Sequence, residues 1–152
     1  MIQIKDTTAI SNALNSLDAA KQPVWGSMTP QQMIEHLALS VKGSYRSKLT
    51  EITVPEEKSK TMKQFFIFSD AELPRNVKSS MYADGNLPPL KHANIAEATN
   101  ALVEEIKHFY AHFSSSEGVT TMNPFLGPLT QEEWEIFHGK HFLHHFKQFE
   151  LP

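Results

Sequence analysis

Three stretches of this chain encode a helix N-terminus in their side-chain chemistry. In Thr29-Pro30-Gln31-Gln32 the threonine hydroxyl suits the backbone N–H three residues on. Gln32 suits the N–H of the cap itself, and Pro30 takes the first helical position, where its missing N–H costs nothing. Thr130-Gln131-Glu132-Glu133 repeats the pattern, and Asn94 with Glu97 gives a third, box-like start. Each is followed by apolar residues at helical spacing. The second helix is expected to run to about Tyr45. The third carries Ile95, Ala98, Leu102, Ile106 and Phe109 on one face and stops at the serine run 114–116 and Gly118. The fourth reaches about Phe149 with no proline inside it. A first helix over residues 8–20 follows from Ile10, Leu14 and Leu17. Gly139 lowers the helix propensity of the fourth by about 1 kcal/mol relative to alanine, so its position calls for a small residue.

Residues 46–93 separate the second and third helices. They hold Pro55, Pro74, Pro88 and Pro89 and one apolar block, MKQFFIF, at residues 62–68. The block fits a short helix or a buried strand; the helix formers at 60–64 favour a helix. The remainder is expected to cross one end of the molecule as loop. Four amphipathic helices with one long crossover predict an all-α four-helix bundle, as a single domain over residues 1–152.

Composition narrows the function classes. The net charge of −3 and isoelectric point near 6.2 argue against a nucleic-acid partner. The lysines at 58, 60 and 63 follow Glu56 and Glu57 and read as solvated surface. With no cysteine, thiolate metal sites and a cysteine nucleophile are excluded. No signal-peptide pattern and no membrane-length apolar run occur, so a cytoplasmic location is expected.

Half of the 8 histidines lie in HGKHFLHH, from His138 to His145. With His138 at zero on a helix of about 100° per residue, His141 falls at about 300° and His145 at about 340°. Trp134, Phe142, Phe146 and Phe149 share that side. His144, at about 240°, points away and reads as a surface residue. Buried imidazoles need partners for their nitrogens. His141 and His145 stand at i and i+4, so two rings can reach one ion. His36, at the edge of the Met33, Leu37 and Val41 stripe, is the histidine a second helix can offer. A His36, His141 and His145 triad of neutral imidazoles suits Zn, Ni or Fe as a divalent ion. The competing reading is a set of hydrogen-bonded core histidines. His92, His108 and His112 read as surface or loop residues, and Trp25 and Trp134 as core or pocket walls.

The stretches PVWGSMTPQQMIEHLALS (23–40) and NPFLGPLTQEEWEIFHGKHFLHHFKQF (123–149) together resemble the DinB/YfiT-like superfamily, in its branch of small domains of unknown function. The resemblance covers both ends of the chain and little of the middle. It implies a four-helix bundle with a long crossover, a homodimer, and a divalent metal held by one histidine of the second helix and two of the last. His36, His141 and His145 match those positions, and Gln148 completes a His-x-x-Gln ending. His138 is then a candidate catalytic proton carrier or a group supporting the ligands. The chemistry implied is thiol transfer: a small-molecule substrate, supplying the thiol this chain lacks, activated at the metal. A metal-dependent hydrolase is equally open. So are a non-catalytic bundle that binds a ligand or partner, and haem ligation by facing histidines.

Overall fold

The computed structural model of the chain describes residues 1–77, 86–115 and 117–152. Among the described residues five helices and a short antiparallel hairpin follow one another: α1 (Thr7–Asn15), α2 (Pro30–Arg46), α3 (Glu56–Ile67), α4 (Ile95–Ser114), β1 (Thr121–Asn123), β2 (Gly127–Leu129) and α5 (Gln131–Gln148). The molecule is mostly helical, and the expectation of an all-α bundle of four helices needs two corrections. The 62–68 block does lie in a helix up to Ile67, with Phe68 as the C-cap, but α3 begins six residues earlier than the block, at Glu56, with acidic residues in its first turn. The other correction is the hairpin. Asn123 Oδ1 accepts the backbone N–H groups of Phe125 and Leu126 at 2.9 and 3.0 Å. That Asx-type turn closes the chain on itself, with Thr121 paired to Leu129 and Asn123 to Gly127, which sits at φ +80°.

The caps form largely as their chemistry dictates. Both halves of the capping box are made at Thr29/Gln32 and at Thr130/Glu133. Asn94 accepts from the Glu97 N–H, but Glu97 reaches back one residue too far, to the N–H of Ala93 at 3.1 Å. α1 stops at Asn15, well short of residue 20. Ser16 Oγ turns back to the Ala13 carbonyl, and Asp18 Oδ1 accepts the Ala20 N–H, replacing helix by turn.

α2 packs along α4, which also receives α1, while α5 meets α2, α3 and the hairpin. Met33, Leu37 and Val41 of α2, Leu102, Ile106 and Phe109 of α4, and Phe142 and Phe146 of α5 form the core with Ile10 and Leu14. The crossover is pinned where it returns: Glu35 accepts the N–H groups of Lys91 and His92, at 2.8 and 3.1 Å. Of the expected crossover loop, residues 78–85 lie outside the described residues, as does Ser116 of the serine run. Lys63 is less solvated than its neighbours suggest, since it bridges to Glu133 at 2.9 Å and ties α3 to the start of α5. Among the described residues no helix is long and apolar enough to cross a membrane.

Candidate metal centre

The fold brings His36 of α2 against His141 and His145 of α5. The three ring centroids form a nearly equilateral triangle with sides of 4.8, 4.9 and 5.0 Å. His36 Nε2 lies 2.9 Å from His141 Nε2, which lies 3.1 Å from His145 Nε2. One ring nitrogen from each residue falls within 4.8 Å of the others, close enough for all three to hold one ion. His36 and His145 are buried, and His141 is partly so.

Gln148 fixes the proton of His145. Its amide nitrogen donates to the Trp25 carbonyl at 2.8 Å, so Oε1 is the atom 2.7 Å from His145 Nδ1. Nδ1 must therefore carry the hydrogen, and the neutral ring turns a lone pair at Nε2 toward its two companions. Burial, then the neighbouring His36, lowers the His145 pKa to about 3, and burial lowers that of His36 to about 4. His141 is held well below the ordinary histidine range by burial first and by His145 and His36 next.

Neutral rings in this arrangement satisfy one another poorly through Nε2. If His141 Nε2 carries a proton, that single proton faces both neighbours. If it does not, two lone pairs meet across 3.1 Å. His141 Nδ1 is buried and lacks a hydrogen-bond partner among the described residues. A shared cation removes the conflict, because all three nitrogens then offer lone pairs to it. His36, His141 and His145 would hold such an ion, and their 2.9 and 3.1 Å separations would have to open slightly to reach the about 3.3 Å between nitrogens on a tetrahedral ion.

His138 lies on the same face of α5 but is not brought into the triangle. Its ring is fully buried, stacked on Trp134 with centroids 5.4 Å apart and edged by Phe109 and Phe137. Neither nitrogen has a partner among the described residues, and burial lowers its pKa to about 3. His144 corrects the expectation of a surface residue: half-buried, it packs edge-on against Trp25 at 5.5 Å. His108 is exposed, whereas His92 and His112 are partly buried outside the triangle.

Thr121 is the positioning residue that sequence reasoning passed over. Its hydroxyl donates to the Ser44 carbonyl of α2 at 2.5 Å and accepts from Trp134 Nε1 of α5 at 2.7 Å. One side chain of β1 thus spans the two helices that carry the histidines. Trp25 does more than line a wall: its carbonyl anchors Gln148, and so acts on His145 through one amide. The His-x-x-Gln spacing signals Gln148, but nothing local signals a carbonyl more than a hundred residues away.

A family model matches residues 1–151, so the chain belongs to the family described as Protein of unknown function (DUF1569). Searches of curated proteins and of solved structures gave no match.

Proposed function

We propose that this DUF1569 protein is a divalent-metal-dependent enzyme of the thiol-transferase-like kind, with His36, His141 and His145 as ligands of Zn, Ni or Fe. The supporting observation is the convergence of three buried or partly buried Nε2 atoms, which a shared cation would join. When bound, such an ion lowers the pKa of a coordinated thiol or water and makes it nucleophilic near neutral pH.

The chain's own part is to hold three neutral imidazoles. Burial keeps them unprotonated, and Gln148 keeps His145 in the tautomer that presents Nε2. With no cysteine in the chain, any reacting thiol is supplied from outside it, in this reading by a small-molecule substrate. His138 is the remaining imidazole on this face and the candidate proton carrier. A hydrolase using the same ligand set is the nearest rival in mechanism. The resemblance to DinB/YfiT-like proteins adds a homodimer to this reading.

The low exposure of His36 and His145, at 7% and 5%, favours one second reading: a structural ion in a bundle that binds a ligand or partner without chemistry. Elemental analysis of protein purified without a metal-affinity tag tests both. Near-stoichiometric Zn, Ni or Fe is expected in the wild type and is lost in His36→Ala and His145→Ala. Absence of metal even after reconstitution overturns the metal centre. Metal-loaded protein is then assayed with low-molecular-weight thiols and electrophiles, and with simple esters. Turnover lost with the ion supports the enzyme. Loss of stability alone supports the structural ion.

A further inference from the structure

α5 has a second face. With His138 at zero, Leu143, Ile136 and Lys147 fall at about 140°, 160° and 180°, Lys140 at about 200° and His144 at about 240°. All five line a cavity of about 330 Å³, roofed by the segment that follows α3 and closed at one side by Trp25. His36, His141 and His145 are absent from its wall. The cavity and the metal centre therefore lie on opposite sides of one helix.

Its volume is at the lower end of the range of small-molecule sites, about 300–1,000 Å³. Ile67, Ile136, Leu143 and the Trp25 indole supply an apolar wall. The charged lining is unequal: Arg75, Lys140 and Lys147 against Asp70 and Glu72. Lys147 is neutralised by Glu72 at 2.5 Å. Lys140 donates to the carbonyls of Ser69 and Ala71, at 2.6 and 3.0 Å, which leaves its ammonium one further N–H. Arg75 lies over the Trp25 ring, its guanidinium carbon 3.9 Å from the centroid, and makes no ion pair among the described residues. A guanidinium on an aromatic face is held in place while its N–H groups stay available to a carboxylate.

We propose that this cavity binds a small organic monocarboxylate, its apolar or aromatic body against Trp25, Ile136 and Leu143 and its carboxylate on Arg75. Occupancy needs no metal, so the site stands independently of the proposed function.

Trp25 and Trp134 are the two tryptophans of the chain, so their indole N–H resonances give one probe at the cavity and one in the core. Titration of the ¹⁵N-labelled protein with phenylacetate is expected to shift the Trp25 resonance saturably and leave Trp134 in place. Arg75→Gln is expected to weaken binding by about tenfold or more, with the Trp134 resonance reporting an intact fold. Arg75→Lys keeps the charge without the planar fork and falls between the two. Phenethylamine, with the same ring and the opposite charge, is expected not to bind. His36→Ala is expected to bind phenylacetate as the wild type does, which separates this cavity from a carboxylate landing on an ion. The proposal is overturned by no saturable shift at millimolar phenylacetate, by equal binding in both Arg75 variants and the wild type, by equal binding of phenethylamine, or by loss of binding in His36→Ala.

Discussion

Gln148 Oε1 accepts the Nδ1–H of His145 at 2.7 Å, and the other end of the same amide holds the Trp25 carbonyl. A single side chain therefore orients a candidate ligand and ties it to a distant loop. Gln148→Leu removes the acceptor and frees the ring to change tautomer. A fall in metal affinity of about 10–100-fold is expected, measured by competition with a chelator, and Gln148→Glu should recover much of it. Unchanged affinity in Gln148→Leu would show that packing alone orients His145.

Thr121 joins α2 to α5 through Ser44 and Trp134. Thr121→Val keeps the shape and strips both hydrogen bonds, leaving the Trp134 indole N–H buried without a partner. A loss of about 1–3 kcal/mol is expected in urea denaturation. Weaker metal binding should accompany it, since His36 and His141 sit on the two helices so joined.

An alanine at 139 meets the N-terminus. Its Cβ would come within 2.5 Å of both the Ile2 carbonyl oxygen and Met1 Cγ. The gain in helix propensity, about 1 kcal/mol, is expected to be outweighed by that overlap, giving a net loss of about 1–3 kcal/mol. Faster amide exchange at Ile2, whose N–H donates to the Gly139 carbonyl at 3.2 Å, should mark where the strain is relieved.

Stability is expected to fall as the medium is acidified. In the folded state His36, His138 and His145 have pKa values of about 4, 3 and 3. The unfolded chain takes up protons near the ordinary value of about 6.5. Between these limits the unfolded state binds more protons, so stability rises with pH. It is fully present above about 6.5 and is lost as pH drops toward 3–4, at about 1.4 kcal/mol per pH unit for each histidine. Urea midpoints of metal-stripped protein at pH 7.5, 6 and 5 test the trend. His138→Phe should reduce the slope by about one proton and, by removing two unpartnered nitrogens, raise stability at pH 5. If the same variant retains its metal and loses turnover, His138 is the proton carrier; full turnover assigns it to the core.

Much of the helical framework was legible because capping is local chemistry. Thr29 with Gln32 and Thr130 with Glu133 specify their helix starts within four residues, and the structure makes both boxes. The histidine row was legible for a related reason: a helix of known period fixes which of His138, His141, His144 and His145 share a side. What failed depended on contacts far away in sequence or on turn chemistry that mimics loop. The hairpin rests on the Asn123 side chain more than on strand propensity. α1 lost its last turn to Asp18. His144 looked solvent-facing until the segment after α3 and Trp25 were laid over it. His138 shares the wheel position of His141 and His145 but, about a turn earlier, meets aromatic rings instead of a partner imidazole.

His36 and His141 are 105 residues apart in the chain, and that separation bears on how the protein is made. On the ribosome α2 emerges long before α5, at about 5–20 residues per second. For several seconds the nascent chain offers His36 without His141 or His145. The β1 residue that spans their helices and the amide that orients His145 also come late. Cations met during this interval find one of the three converging imidazoles, beside His92, His108 and His112, which the fold keeps outside the triangle. The three imidazoles meet only when α5, the last helix to be made, packs against α2; the first residues also dock on α5, with Ile2 on Gly139 and Val24 on Gln148. If the triangle holds an ion, its capture is thereby deferred to the closing of the fold, because a chain stalled before α5 lacks two of the three imidazoles.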